Sequence, residues 1–313
     1  GPCSRVRGCV KSPSPVDGVR RAVRNPRAVL GIIGGSGLYE LPGLTGVRPR
    51  RLTTPFGDPS DEIVTGQLGE QEVAFVSRHG KGHRYSPTEV PYRANLHAFR
   101  QLGVTRVISV SAVGSMKEAI APGHMVLPTQ YIDRTVARPR TFFENGVVAH
   151  VAFADPVCPQ LHEHMKGACF AAGATFHAGG TYLCIEGPQF STRAESELYR
   201  SFGVSVIGMT AMPEAKLARE AELCYATLAL ATDYDCWHAG HESVTVAQVL
   251  ETMKKNVATA HEIVRNAALG LSRLEERSCG CGRALESAVM TAPAQIPNAA
   301  RERLALLLGD RFR

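Results

Sequence analysis

The sequence predicts an α/β fold, and three observations carry that reading. Short apolar runs the length of buried strands alternate along the chain with segments of helical periodicity. Several of the runs end in loops of glycine and hydroxyl residues, where α/β sheets gather their ligands. The chain has 313 residues and is 44% apolar, enough for one large α/β domain plus tails.

The first strand lies in residues 29–38, Val-Leu-Gly-Ile-Ile-Gly-Gly-Ser-Gly-Leu, and feeds a tight loop. Its glycines permit positive φ and aim successive N–H groups at one point, with Ser36 as a side-chain donor, which suits an anion. A plain turn after a core strand is the alternative. The spacing matches neither Gly-x-Gly-x-x-Gly nor a P-loop, so no dinucleotide or P-loop nucleotide is indicated. Residues 41–59 are rich in Pro and Gly and read as irregular. Residues 62–68 and 72–77 form a hairpin around Gly69-Glu70. The second of these strands ends in Arg78-His79-Gly80-Lys81-Gly82-His83, which puts a cation and an imidazole where a ligand is met; a solvated basic loop is the alternative.

Residues 91–102 read as a helix, opened by Pro91 and closed by Gly103. Residues 105–110 are a buried strand that gives way to a loop, Ser111-Ala112-Val113-Gly114-Ser115. Ser36, Arg78 with His79, and Ser111 thus stand at three strand ends, placed to surround one oxyanion. Further helices are expected at 156–172, at 192–202 with Ser191 or Thr192 as N-cap and Glu195 in the capping box, and at 213–221. Strands are expected at 175–185, 204–207 and 223–231.

The last of these strands ends in Thr232-Asp233-Tyr234-Asp235-Cys236-Trp237. Two carboxylates two residues apart point to one side of an extended chain, and half-buried they cannot both ionise freely, so one pKa rises. A protonated Asp gives a proton to a leaving group, and an ionised one accepts hydrogen bonds from an amine. A strand-end pair capping a helix is the alternative. Residues 244–269 are a long amphipathic helix with Val246, Val249, Leu250, Met253 and Val257 on its apolar stripe, and 301–308 are a short one.

The formal charge of +6 resides entirely in residues 1–27, which hold seven bases and one acid; the remainder is neutral. That tail reads as disordered rather than as a nucleic-acid arm. No apolar run approaches the ~20 residues that span a bilayer, and no secretory signal is evident, so a soluble, cytoplasmic protein with no nucleic-acid or membrane partner is expected. Nine scattered cysteines point to a reducing compartment. Cys279-Gly280-Cys281 lacks a partner pair at metal-ligand spacing, which argues against zinc and leaves a reactive or redox pair open.

Six ordered segments, Gly-Gly-Ser-Gly-Leu, Thr-Pro-Phe-Gly-Asp-Pro-Ser, Arg-His-Gly-Lys-Gly-His, Ile-Glu-Gly-Pro-Gln-Phe-Ser, Gly-Met-Thr-Ala-Met-Pro-Glu and Thr-Asp-Tyr-Asp-Cys-Trp, resemble the trimeric purine nucleoside phosphorylases, and most closely their methylthioadenosine branch. The resemblance covers about residues 29–269. It implies a three-layer α/β/α fold with a central mixed sheet, a homotrimer or hexamer, no cofactor and no metal, and phosphorolysis of a nucleoside by orthophosphate. It divides the chain into a basic tail (1–27), a phosphorylase domain (28–272) and a C-terminal extension (273–313).

By the same resemblance Ser36, Arg78, His79, Ser111, the backbone at Ala112, and Thr210 bind phosphate; Met209 contacts the ribose and Phe190 the base. Asp233 protonates or hydrogen-bonds the departing purine, and Asp235 helps read its amino group. The 6-oxopurine branch carries Glu at the position of Ser191 and Asn at that of Asp233; the set found here favours adenine, since carboxylates accept from an amine and repel a carbonyl. Val246, where the branch binding a free hydroxyl has His, joins Val249 and Leu250 in an apolar slot suited to a methylthio group. His150 matches a residue contributed by the neighbouring subunit. A broader specificity, for adenosine or for methylthioinosine and other 6-oxopurine nucleosides, is the alternative.

Overall fold

Strands apolar on both faces must be covered on both sides, and the sheet of this protein is covered in that way. The computed structural model describes residues 29–35, 41–238, 245–271 and 277–312. The described strands are β1 (Val29–Gly34), β2 (Leu44–Arg50), β3 (Ile63–Leu68), β4 (Gln71–Ser77), β5 (Val104–Ser115), β6 (Met125–Leu127), β7 (Gln130–Arg134), β8 (Phe176–Ala178), β9 (Thr181–Ile185), β10 (Val206–Gly208) and β11 (Cys224–Asp233). They join in one mixed sheet ordered β2-β3-β4-β1-β5-β10-β9-β7, with β11 pairing β5 and β6, and β8 pairing β6. The helices are α1 (Tyr92–Gln101), α2 (Pro159–Ala171), α3 (Arg193–Ser201), α4 (Ala211–Glu220), α5 (Val246–Leu271) and α6 (Asn298–Leu308).

The core of the sheet is a parallel block, β4-β1-β5-β11. Its side chains alternate with the pleat. Ile33, Val76, Val107 and Ala229 pack in one cluster with Leu96 and Phe99 of α1, Leu217 of α4 and Leu304 of α6. Ile32, Phe75, Ile108 and Leu228 pack in the other with Leu161 of α2 and Ile263 and Val264 of α5. The result is the expected α/β/α sandwich, each buried Leu or Ile contributing roughly 1.5–3 kcal/mol. Gly31 lets α1 approach: a Cβ there would stand 2.7 Å from the Phe99 ring.

Four local expectations need correction. Residues 44–50, read as irregular, form β2, an edge strand exposed at six of its seven positions, so no apolar alternation announced it. Ser111–Ser115 is not a loop but the second half of β5, because β11 supplies ladder partners for Ser111, Ala112 and Val113, and β10 for Gly114 and Ser115. The strand expected at 175–185 breaks into β8 and β9 at Gly179 and Gly180, whose φ values are 101° and 87°. The terminal helix begins at Asn298, earlier than its apolar stripe indicated.

Thr192 is the N-cap of α3, with the full capping box to Glu195. The segment beyond residue 277 folds back on the body, burying Leu285, Ile296, Leu304 and Leu307 against α1 and its neighbours. No helix among the described residues is long and apolar enough to cross a membrane. The basic tail at 1–27 lies outside the described residues.

Candidate active site

The carboxyl ends of the parallel strands converge on one cavity of about 950 Å³. Gly35 follows β1, Arg78 and His79 follow β4, Ser111 to Gly114 lie in β5, and Thr232 and Asp233 close β11; all line it. Ile207 to Thr210 reach it from β10, and Val246, Val249 and Leu250 from the first turns of α5. Ser36 lies outside the described residues.

At one end stands Arg78, almost fully buried. Its Nε–H and Nη2–H donate to the two carboxylate oxygens of Glu214, at 2.9 and 3.1 Å. Nη2 also donates to Ser109 Oγ and Nη1 to the Val110 carbonyl. Four of five guanidinium hydrogens are thereby engaged, leaving one on Nη1 for the cavity that Arg78 lines. Burial opposes its charge, but pairing with Glu214 holds the guanidinium above its ordinary pKa. His79 beside it is pushed down to about 4, by burial and then by Arg78, so its ring is neutral near pH 7. Its Nδ1 lies 2.9 Å from the Tyr85 carbonyl, which fixes the proton on Nδ1 and leaves Nε2 an acceptor. Thr210 and Ser111 are buried and line the same cavity, and Ser111 Oγ has no hydrogen-bond partner among the described residues. A buried hydroxyl without a partner facing a cavity is a donor held ready for a ligand.

At the other end are the two carboxylates. Thr232 Oγ1 donates to Asp233 Oδ2 at 2.6 Å, and the Asp235 N–H donates to Asp233 Oδ1 at 2.8 Å. Ser196 Oγ donates to Asp235 Oδ2 at 2.5 Å. The two carboxyls do not share one side of an extended chain, as the spacing suggested. β11 ends at Asp233, and Asp235 has φ of 51°, a left-handed turn that Asp tolerates better than most residues. Burial pushes both carboxyls above their usual range; the Asp235 charge adds to the rise at Asp233, and hydrogen bonds from Thr232 and Ser196 restrain it. Gly114 leaves them room, since a Cβ there would stand 2.9 Å from Asp233 Oδ1. The indole of Trp237 anchors the turn, donating to the Ser115 carbonyl at 2.7 Å with Arg200 stacked above it at 3.7 Å.

Between the two ends, Met209, Phe190 and Ser191 line the wall, and Ala112 lies with Ser111. His150 does not join them: its side chain is exposed outside the cavity, in a segment whose N–H donates to the Ala288 carbonyl.

Sequence reasoning missed two supports. Glu214, which falls in the helix expected at 213–221, is the partner of Arg78. Arg138, fully buried, donates to the carbonyls of Met209, Met212 and Glu186, at 2.6, 2.7 and 2.6 Å, and pairs with the Glu186 carboxylate. It ties the Glu186 and Met209 segments into one wall. Neither role has a local signal, because each partner lies on a distant element.

A family model described as the phosphorylase superfamily matches residues 29–268. The S-methyl-5'-thioadenosine phosphorylase of Geobacter sulfurreducens is 60% identical over 283 residues, covering 90% of this chain and 98% of that protein. Among solved structures, a methylthioadenosine phosphorylase sourced from an antarctic soil metagenomic library matches with a TM-score of 0.85 at 48% identity, over 90% of this chain and 99% of that one. The methylthioadenosine phosphorylase of Schistosoma mansoni in complex with adenine matches with a TM-score of 0.76 at 37% identity, over 80% and 93% of the two chains.

Proposed function

This chain belongs to the phosphorylase superfamily, and from that premise we infer that it cleaves S-methyl-5'-thioadenosine with orthophosphate into adenine and S-methyl-5-thioribose 1-phosphate. The observation that carries the reading is one cavity with an anion end at Arg78, a carboxyl end at Asp233 and Asp235, and apolar residues of α5 beside them. In the reaction the bond from the anomeric carbon to the purine nitrogen breaks and a bond to a phosphate oxygen forms. Positive charge grows on the sugar between the two, so the nucleophile must be held in line and the base neutralised as it leaves. Arg78, Ser111 and Thr210 hold the phosphate, together with the Ala112 backbone and Ser36. Neutral His79 accepts a hydrogen bond at Nε2 from the hydroxyl of monohydrogen phosphate, which keeps its proton. Asp233, with its raised pKa, donates to the departing purine, and Asp235 accepts from the exocyclic amine. Val246, Val249 and Leu250 take the methylthio end, as their apolar character suits.

We propose further that the working enzyme is a homotrimer in the cytoplasm. Val246 and Leu250 are 63% and 56% exposed in the single chain, and a neighbouring subunit bringing His150 would cover the slot. Sedimentation of the purified protein tests the trimer, and a monomer with full activity would overturn it. The activity is tested by phosphate-dependent cleavage of methylthioadenosine, adenosine, methylthioinosine and inosine in parallel. Methylthioadenosine preferred is the expected result; methylthioinosine preferred would overturn the roles of Asp233 and Asp235, and no phosphate-dependent release of base would overturn the whole reading.

A further inference from the structure

At the opposite end of β11 from the catalytic carboxyls, four cysteines meet. Cys158 is the N-cap of α2, Cys224 opens β11, and Cys279 and Cys281 belong to the C-terminal segment. Their sulfurs all lie within 4.8 Å of one another, Cys224 and Cys279 at 3.4 Å. Cys158, Cys224 and Cys281 are buried, and Cys279 is half-buried. Tetrahedral zinc with metal–sulfur bonds of about 2.3 Å sets its sulfurs about 3.8 Å apart, within the spread seen here.

We propose that Cys158, Cys224, Cys279 and Cys281 form a closed, structural zinc site. The partner pair that Cys279 and Cys281 lack in sequence is supplied in space, by the start of a helix and the start of a strand. Four thiolate ligands complete the tetrahedron and leave no position for substrate water, so the site holds structure rather than performing chemistry. Cys224 and Asp233 stand at the two ends of the ten-residue β11, about 30 Å apart at the usual rise, which places the metal far from the reaction. Binding the dication displaces four thiol protons to solvent and leaves a net charge of −2 on the centre. The Leu161 N–H donates to Cys158 Sγ at 3.4 Å and offsets part of that charge. A groove lined by Gln160, Glu163, His164, Ser278 and Cys279 opens beside the cluster and gives the ion a way in. The consequence is a clamp: one ion ties the segment beyond residue 277 to β11, 55 residues before Cys279, and to α2, more than a hundred residues before it.

Two disulfides are the competing use of the same sulfurs, but a disulfide brings two sulfurs to about 2.05 Å and divides the four into couples, whereas these are mutually close.

The test is elemental analysis of the full chain purified without chelator or added metal. Expected are one zinc per chain, zinc release on titration with an organomercurial, and four thiols shielded from a disulfide reagent until release. Cobalt(II) exchanged into the site should show intense thiolate-to-metal charge transfer with tetrahedral d–d bands. Cys279→Ser and Cys281→Ser should each lose most of the zinc and lower Tm by several degrees, with kcat/KM per folded enzyme unchanged. If either variant fails to fold, metal content and cobalt spectrum of the unmutated chain still decide. A chain purified free of zinc that takes up neither zinc nor cobalt(II) would overturn the site, as would a mass four hydrogens lower in the absence of reductant.

Discussion

Arg78 and Glu214, 136 residues apart in sequence, form a bidentate ion pair whose side chains are 2% and 1% exposed. Tyr225 Oη and Ser109 Oγ donate to the same Glu214 oxygen, at 2.9 and 2.5 Å. The carboxylate therefore fixes the guanidinium in the cavity wall while leaving one N–H for the anion. Breaking one partner of such a pair strands the other and costs about 3–5 kcal/mol. Glu214→Gln should show a loss of that order in urea unfolding, with a KM for phosphate raised tenfold or more. Saturating phosphate should recover part of the stability, since it supplies the missing negative charge. An unchanged unfolding midpoint would show that the pair is not what holds Arg78.

Asp233→Ala should lower kcat by about 10²–10⁴-fold, the usual contribution of a positioned acid, while moving stability by about 1 kcal/mol or less. Because the raised carboxyl acts in its protonated form, activity should fall as pH rises through that pKa. That limb of the pH profile should vanish in Asp233→Asn. Equal losses of turnover and stability would make the carboxyl a structural group.

Val246→His puts a polar ring in the apolar slot. The kcat/KM ratio of methylthioadenosine to adenosine should fall at least tenfold, since apolar contacts in a pocket discriminate by about 1–3 kcal/mol. An unaltered ratio would remove Val246 from the list of specificity residues.

Arg138→Lys keeps the charge but cannot reach the carbonyls of Met209, Met212 and Glu186 together. KM for the nucleoside should rise severalfold, while KM for phosphate stays near its original value. A rise confined to phosphate would show that Arg138 serves the anion end instead.

Glu220 offers a test in stability alone. Burial pushes its carboxyl up to about 7, against hydrogen bonds from the Phe142 N–H and the Thr141 hydroxyl. Between pH 4.5 and 7 the folded chain therefore binds more protons here than the unfolded chain, and the contribution of this group to stability declines as pH rises. Relative to Glu220→Gln, the unmutated protein should be up to about 3 kcal/mol more stable at pH 4.5 than the same comparison gives at pH 7.5. A pH-independent difference would mean that Glu220 stays ionised throughout.

Legible in the sequence alone were the buried strands that became β1, β4, β11 and the first half of β5, the capping box at Thr192 and Glu195, the turn at Gly69, and the motifs that carry the family resemblance; that the four strands pair in parallel was not. The legible features are local properties: apolar period selects strand or helix, and a capping residue acts within one turn. Tertiary structure decided what depends on partners from elsewhere in the chain. Ser111 looked like a loop residue because small side chains carry no strand signal, yet β11 and β10 pair that whole segment into β5. Asp233 and Asp235 looked like neighbours on an extended chain, yet a left-handed turn lets the N–H of one hold the carboxylate of the other. Glu214 behind Arg78, Arg138 behind Met209, and the meeting of Cys158, Cys224, Cys279 and Cys281 follow from the same cause. A residue's spacing along the chain fixes which face it occupies, but only the crossing of distant elements fixes what it touches.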